Sequence, residues 1–269
     1  MSIQITTEQI KELRDSTGIS VMQCKRALEE AEGDMKKALA ILKKTSSDIA
    51  LKKVNREVKA GAVMIKGTDK KAVIASLLCE TDFVSKNEDF INLLNNLADL
   101  ALEKMSAQGG PASGWKKEAT EMINRIIQKT GENIVLGDFS EISGSVLGTY
   151  VHNNKSGVVV SLEGGNSELA RDIAMHITAM KPEYITREEI SPDAVATMNE
   201  VFQKEIANID KPAEIKKKML DGKIATYFKE KTLLDQIFIK NTPEHSDETV
   251  GKLLERSGAK IKELKRYSI

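Results

Sequence analysis

The chain has 269 residues, enough for about two domains with a sizeable core. Its 40 basic and 40 acidic residues balance, which argues against a general nucleic-acid binder, since such a protein needs a basic face to displace counterions. No apolar run reaches the length of a membrane span, and the polar start shows no basic leader ahead of an apolar stretch. Few aromatics and abundant Lys, Glu, Ala, Leu and Ile point to helix-rich structure, and five prolines argue against long disordered tracts. Cys24 and Cys79 are far apart and lack metal-ligand spacing, so two reduced thiols in a cytoplasmic protein are expected.

Residues 1–45 read as three short helices. Thr6 and Gln9 fit a capping box, Ile10 and Leu13 mark an apolar stripe, and Gly18 stops the helix. Ser20 and Gln23 restart with a second box, and Cys24, Ala27, Leu28 and Ala31 recur at helical spacing. Gly33-Asp34 is a further stop and cap before Met35, Ala38, Leu39 and Leu42. Cys24 fits a small core position. The apolar side chains of Gly18–Met22 either close the end of this bundle or form a docking surface for a helix of another protein. Residues 46–60 lie in a charge-rich segment that reads as a helical or extended linker.

The remainder repeats itself, as a first core half over 61–141 and a second over 142–269. In each half a glycine-led strand, a polar turn and a β-branched strand form a hairpin: Gly61–Lys66 with Val73–Ser76, and Gly144–Thr149 with Val158–Ser161. A helix follows each hairpin, opening at Asn87 and Asn166. Each half then closes with a helix, a Gly stop and a strand: Ile126, Gly131 and Ile134, then Leu253, Gly258 and Ile261. The fold class is therefore α+β: a three-helix module, then two antiparallel three-stranded ββα…αβ subdomains, with helices covering one face of each sheet.

The halves differ in two places. Between strand and helix the first half is longer by six residues, essentially the loop Thr81-Asp82-Phe83-Val84. Phe83 either tucks under the following helix, the common fate of a phenylalanine, or is offered as a wedge to a partner. The second half dispenses with these residues, which favours the wedge. The second half in turn carries an insertion at about 191–238, where Val195, Met198, Val201, Phe202 and Ile206, then Ile215, Met219, Ile224, Tyr227 and Phe228, recur at helical spacing on either side of Asp210-Lys211-Pro212. A helical hairpin fits. Its other face is covered by a second copy of the chain, by another protein, or by its own core.

Enzyme signatures are largely missing. No phosphate loop or dinucleotide fingerprint is present, and His152, His176 and His245 show no metal spacing, so no metal or cofactor is expected. Gly164-Gly165-Asn166 reads as a loop and cap in preference to an anion cradle. His176 reads as structural, and Trp115 as an anchor at a helix start. His152 lies at a hairpin tip, either as a solvated turn residue or as a partner contact.

Several stretches carry a family resemblance. Leu13-Arg14, Thr17-Gly18, Met22, Cys24–Leu28 and Gly33-Asp34 resemble the amino-terminal signature of bacterial elongation factor Ts, a module similar in fold to a ubiquitin-associated domain. Thr81-Asp82-Phe83-Val84 with Lys86 resembles that family's second signature. Gly144, Gly148, Tyr150 and His152, then Ile173–Ile177, Lys181–Glu183 and Thr249–Leu254, resemble its second core half and closing helix. The resemblance implies a guanine-nucleotide exchange factor, without covalent chemistry, for elongation factor Tu during translation elongation. It implies that Asp82 and Phe83, flanked by Thr81 and Val84, enter the partner beside its magnesium site. His152 would approach the phosphate-loop side, and Arg14, Val21 and Met22 would dock on a helix of the same partner domain. It also implies a dimerisation role for the helical hairpin. The alternative from another class is a ubiquitin-associated-like adaptor that only scaffolds other proteins. An enzyme with Cys24 or Cys79 as nucleophile is a weaker third.

Overall fold

The computed structural model describes residues 5–104, 115–207, 209, 211–240 and 247–269. The chain falls into two compact units, Met1–Glu141 with Val151–Gly157 and Tyr267–Ile269, and Ile142–Tyr150 with Val158–Arg266. No described helix is long and apolar enough to cross a membrane.

The first unit begins with α1 (Thr7–Thr17), α2 (Val21–Glu30) and α3 (Met35–Lys53). The Thr6 hydroxyl accepts the N–H of Gln9 at 3.2 Å, and the Gln9 side chain accepts the Thr6 N–H at 3.0 Å, closing a full capping box. Only half of the second box forms. Ser20 accepts from the Gln23 N–H at 3.4 Å, but the Gln23 side chain instead accepts from Gln128 at 3.1 Å. Gly18 ends α1 at φ 69°, the left-handed conformation that glycine adopts without a Cβ clash. Leu13, Cys24, Leu28 and Ala38 are fully buried at the centre of the bundle. Helix α3 runs on through the charge-rich segment because its second half has its own apolar seam. Ile49 and Ala50 pack against the core of the next layer, and Lys43 pairs with Glu121 at 2.8 Å.

The next layer is the sheet β1 (Ala60–Gly67), β2 (Lys71–Cys79) and β3 (Ile134–Ser143), in that order. Strands β1 and β2 pair antiparallel from Ala60↔Cys79 to Gly67↔Ala72. As the middle strand, β2 buries its residues almost continuously. A one-turn helix α4 (Asp82–Ser85) follows β2, and α5 (Glu88–Lys104) and α6 (Trp115–Thr130) complete the layer. Leu77, Phe90, Leu94 and Leu97 are fully buried between sheet and helices. Trp115 opens α6 as an anchor, its ring 5.1 Å from that of Phe139.

The second sheet has the order β4 (Val146–His152), β5 (Ser156–Glu163), β6 (Lys260–Ser268), so the structure has two antiparallel three-stranded sheets. Helices α7 (Ser167–Met180) and α10 (Val250–Arg256) supply its core, with Val158, Val160, Ile173 and Ile177 buried. A Cβ at Gly148 would lie 2.0 Å from the Ala170 carbonyl carbon, so only glycine lets β4 approach α7 this closely. Gly164 and Gly165 are both left-handed, and Asn166 caps α7 by accepting from Leu169 N–H at 2.9 Å. Gly164 lets the loop approach the Gly258 backbone closely, and Gly165 packs near Ala259. His176 is fully buried. One ring nitrogen lies 2.9 Å from the Gln236 side-chain oxygen, and the other accepts the Ile239 N–H at 3.3 Å. His245 and the glycines before Trp115 lie outside the described residues.

Helices α8 (Pro192–Ala207) and α9 (Ala213–Lys231) form the inserted hairpin. Phe202 meets Tyr227 edge-on with centroids 5.8 Å apart, and Glu205 pairs with Lys223 at 2.6 Å, which fixes the two helices antiparallel. Asp210 of the expected turn lies outside the described residues, and Pro212 stands at the N-cap of α9.

Candidate functional site

The stretch after β2 is built from its ends inward. Cys79 closes β2, fully buried, with its thiol donating to the Thr81 carbonyl at 3.2 Å. Burial, helped by the nearby Glu132 charge, pushes the Cys79 thiol up to about 12. Burial also raises the Cys24 thiol. Both therefore stay protonated, the opposite of what a nucleophilic thiolate requires. The Glu80 carboxylate accepts the Asn133 N–H at 2.6 Å and pairs with Arg56 at 3.4 Å. Thr81 donates its N–H and hydroxyl to the two oxygens of Glu132, at 3.0 and 2.6 Å. The same hydroxyl accepts the Val84 N–H at 3.4 Å as the N-cap of α4. The segment expected as a loop is thus a capped helical turn.

That turn sorts its side chains by direction. Val84 packs against the core beneath, and Ser85 is buried with its hydroxyl donating to the Asp82 carbonyl at 2.9 Å. Successive residues of a helix point about 100° apart, so Asp82 and Phe83 face away. Phe83 is 84% exposed. Burial of such a ring is worth about 1.5–3 kcal/mol, and this fold forgoes it. Phe90, at the start of α5, is by contrast fully buried. Asp82 pairs with Lys86 one turn on at 2.9 Å, and that ammonium holds its carboxyl below the ordinary range.

His152 ends β4 at the tip of a tight turn. Asn153 and Asn154 have φ of 50° and 54°, and Lys155 N–H donates to the His152 carbonyl at 2.9 Å. Two left-handed residues in a two-residue loop match the twist of a hairpin, and Asn tolerates that conformation. The His152 ring is exposed and lies 3.3 Å from the Asn153 amide. The turn belongs to the first unit, where Val63 N–H donates to the Asn154 carbonyl at 2.7 Å. Lys155 reaches from it to the Gly61 carbonyl at 2.7 Å and to the Ser85 hydroxyl at 3.4 Å. The α4 turn and the His152 turn therefore meet in one hydrogen-bonded network. Arg14, Val21 and Met22 are exposed on α1 and the first turn of α2, with Val21 47% and Met22 61% open, whereas Ile19 is buried in the bundle. Within the apolar stretch, Ile19 closes the bundle while Val21 and Met22 stay exposed.

Glu132 and Lys155 did not stand out in the sequence. Each is one charged residue in a polar turn, and its role depends on chain 51 or 70 residues away. Among the described residues no group of His, Cys, Asp or Glu could hold a metal ion.

Fold and surface together define a two-part α+β protein whose outstanding feature is an apolar ring held into solvent. A family model described as Elongation factor TS matches residues 80–269. Elongation factor Ts of Hahella chejuensis is 39% identical over 98% of this chain and 92% of its own. Those of Thioalkalivibrio sulfidiphilus and Nitrosospira multiformis are 37% and 36% identical, over 98% and 99% of this chain and 92% and 90% of theirs. The chain belongs to the elongation factor Ts family, whose members serve protein biosynthesis.

Proposed function

We propose that this chain is a cytoplasmic guanine-nucleotide exchange factor that binds elongation factor Tu and speeds its release of diphosphate, without covalent chemistry and without a cofactor of its own. Thr81, Asp82, Phe83 and Val84 form the working element. Phe83 enters the partner beside its magnesium site, with Asp82 next to it. Packed protein interiors switch between discrete arrangements more readily than they deform. An inserted ring therefore repacks the partner's helices, disturbs the metal that bridges phosphate and protein, and loosens the diphosphate. By linkage, nucleotide weakens the complex by the factor that the complex weakens nucleotide. His152 approaches the phosphate-loop side, and Arg14, Val21 and Met22 dock the amino-terminal module. The helical hairpin serves as a contact for a second copy.

The observation that carries this proposal is the exposure of Phe83 on a turn rooted at both ends. Stopped-flow release of a fluorescent diphosphate from elongation factor Tu tests it. Phe83→Ala is expected to lose most of the acceleration, about 5- to 150-fold as typical site couplings run, while still forming the complex. Unchanged acceleration would refute the wedge.

A further inference from the structure

The two turns that carry Phe83 and His152 are far apart in sequence and are joined by one side chain. Lys155 follows the two left-handed asparagines of the hairpin turn. Its stem is half-buried, and its ammonium donates to the Gly61 carbonyl at 2.7 Å and the Ser85 hydroxyl at 3.4 Å. Both acceptors are neutral oxygens. The ammonium is spent on two fixed oxygens of β1 and α4. Ser85 passes the constraint on, since its hydroxyl also donates to the Asp82 carbonyl at 2.9 Å. On the other side, the Lys155 carbonyl accepts the Ile269 N–H at 2.9 Å and its N–H donates to the His152 carbonyl at 2.9 Å. The Lys155 charge is also felt at Asp82, after the larger effect of Lys86.

We propose, building on the exchange function above, that Lys155 is a positioning residue, which locks the α4 turn bearing Phe83 to the β4–β5 turn bearing His152 so that both meet the partner as one rigid element. It touches neither nucleotide nor metal. It holds the geometry in which ring insertion is productive, and misplacing such a geometry costs rate more than affinity.

The test uses the full chain with elongation factor Tu. Lys155→Met keeps the apolar stem and removes the donors. Its maximal rate of diphosphate release at saturating factor is expected to fall about tenfold, with the half-saturating concentration changed far less. Lys155→Arg, which retains donors of similar reach, is expected to restore most of the rate. In the Phe83→Ala background, Lys155→Met is expected to add little, since there is no ring left to position. Equal rates for Lys155→Met and the parent, or additive losses with Phe83→Ala, would overturn the proposal. Hydrogen exchange on the free chain supplies a readout independent of exchange activity: Lys155→Met should raise exchange in the segments 80–87 and 151–157 together. Ser85→Ala, which keeps the Gly61 bond, should raise it in 80–87 alone. Unchanged exchange in both segments of Lys155→Met refutes the tie, whereas a parent chain that fails to accelerate release refutes the exchange function itself.

Discussion

Thr81 gives both its N–H and its hydroxyl to the carboxylate of Glu132, at 3.0 and 2.6 Å, so the root of the α4 turn hangs on a residue of the α6–β3 connection. Charge-assisted bonds of this kind are short and directional. Glu132→Ala is expected to free the root and reduce accelerated nucleotide release several-fold. Because the pair lies at the surface, global stability should fall by only about 1 kcal/mol. Urea unfolding alongside release kinetics separates the two effects.

The exposure of Phe83 makes a prediction about stability opposite in sense to the one about activity. A ring 84% open contributes little to its own fold. Phe83→Ala should therefore leave the unfolding free energy within about 0.5 kcal/mol of the parent. A loss of several kcal/mol in chemical denaturation would mean that the ring packs at home.

Val21 and Met22 are open on the first turn of α2. Replacing both with Asp places negative charge at a helix N-terminus, where the dipole favours it, so the melting temperature should hold or rise slightly. Association with elongation factor Tu should weaken by about tenfold or more, as loss of a buried apolar anchor does. Titration calorimetry checks this, and an unaltered affinity would remove these residues from the interface.

His176 sets a pH dependence. Burial lowers its pKa below the ordinary 6.5, partly offset by the Gln236 bond. The unfolded chain therefore binds the proton first as pH falls below 6.5, and this residue's contribution erodes from there down to its folded pKa. Well above 6.5, where both states are neutral, it has no effect. Side-chain nitrogen NMR should show this ring taking up its proton at lower pH than the ordinary 6.5. A midpoint at or above 6.5 would contradict the assignment.

Periodicity and punctuation were enough to read most of the architecture. The capping box at Thr6, the stops at Gly18 and Gly33, the paired hairpins and the hairpin insertion are all local patterns, and the structure forms each of them. The half-formed box at Ser20 was not legible, because the amide of Gln23 is drawn off by Gln128, a competitor 105 residues away. The continuation of α3 was open in the sequence for a related reason. A charge-rich segment stays helical here because Ile49 and Ala50 find an apolar surface belonging to another layer.

The candidate site divides in the same way. Composition, repeat and spacing determined by themselves that the first half carries a spur which the second half lacks, and that this spur holds Phe83. Whether the ring lies in or out was not a property of the spacing. It followed from Val84 and Ser85 taking the inward directions of the turn, and from Glu132 and Lys155 fixing its two ends. A hydrophobic period reports which residues can share a face. Only packing reports which of them finds the space already occupied, and long-range hydrogen bonds leave no trace in the spacing of either partner.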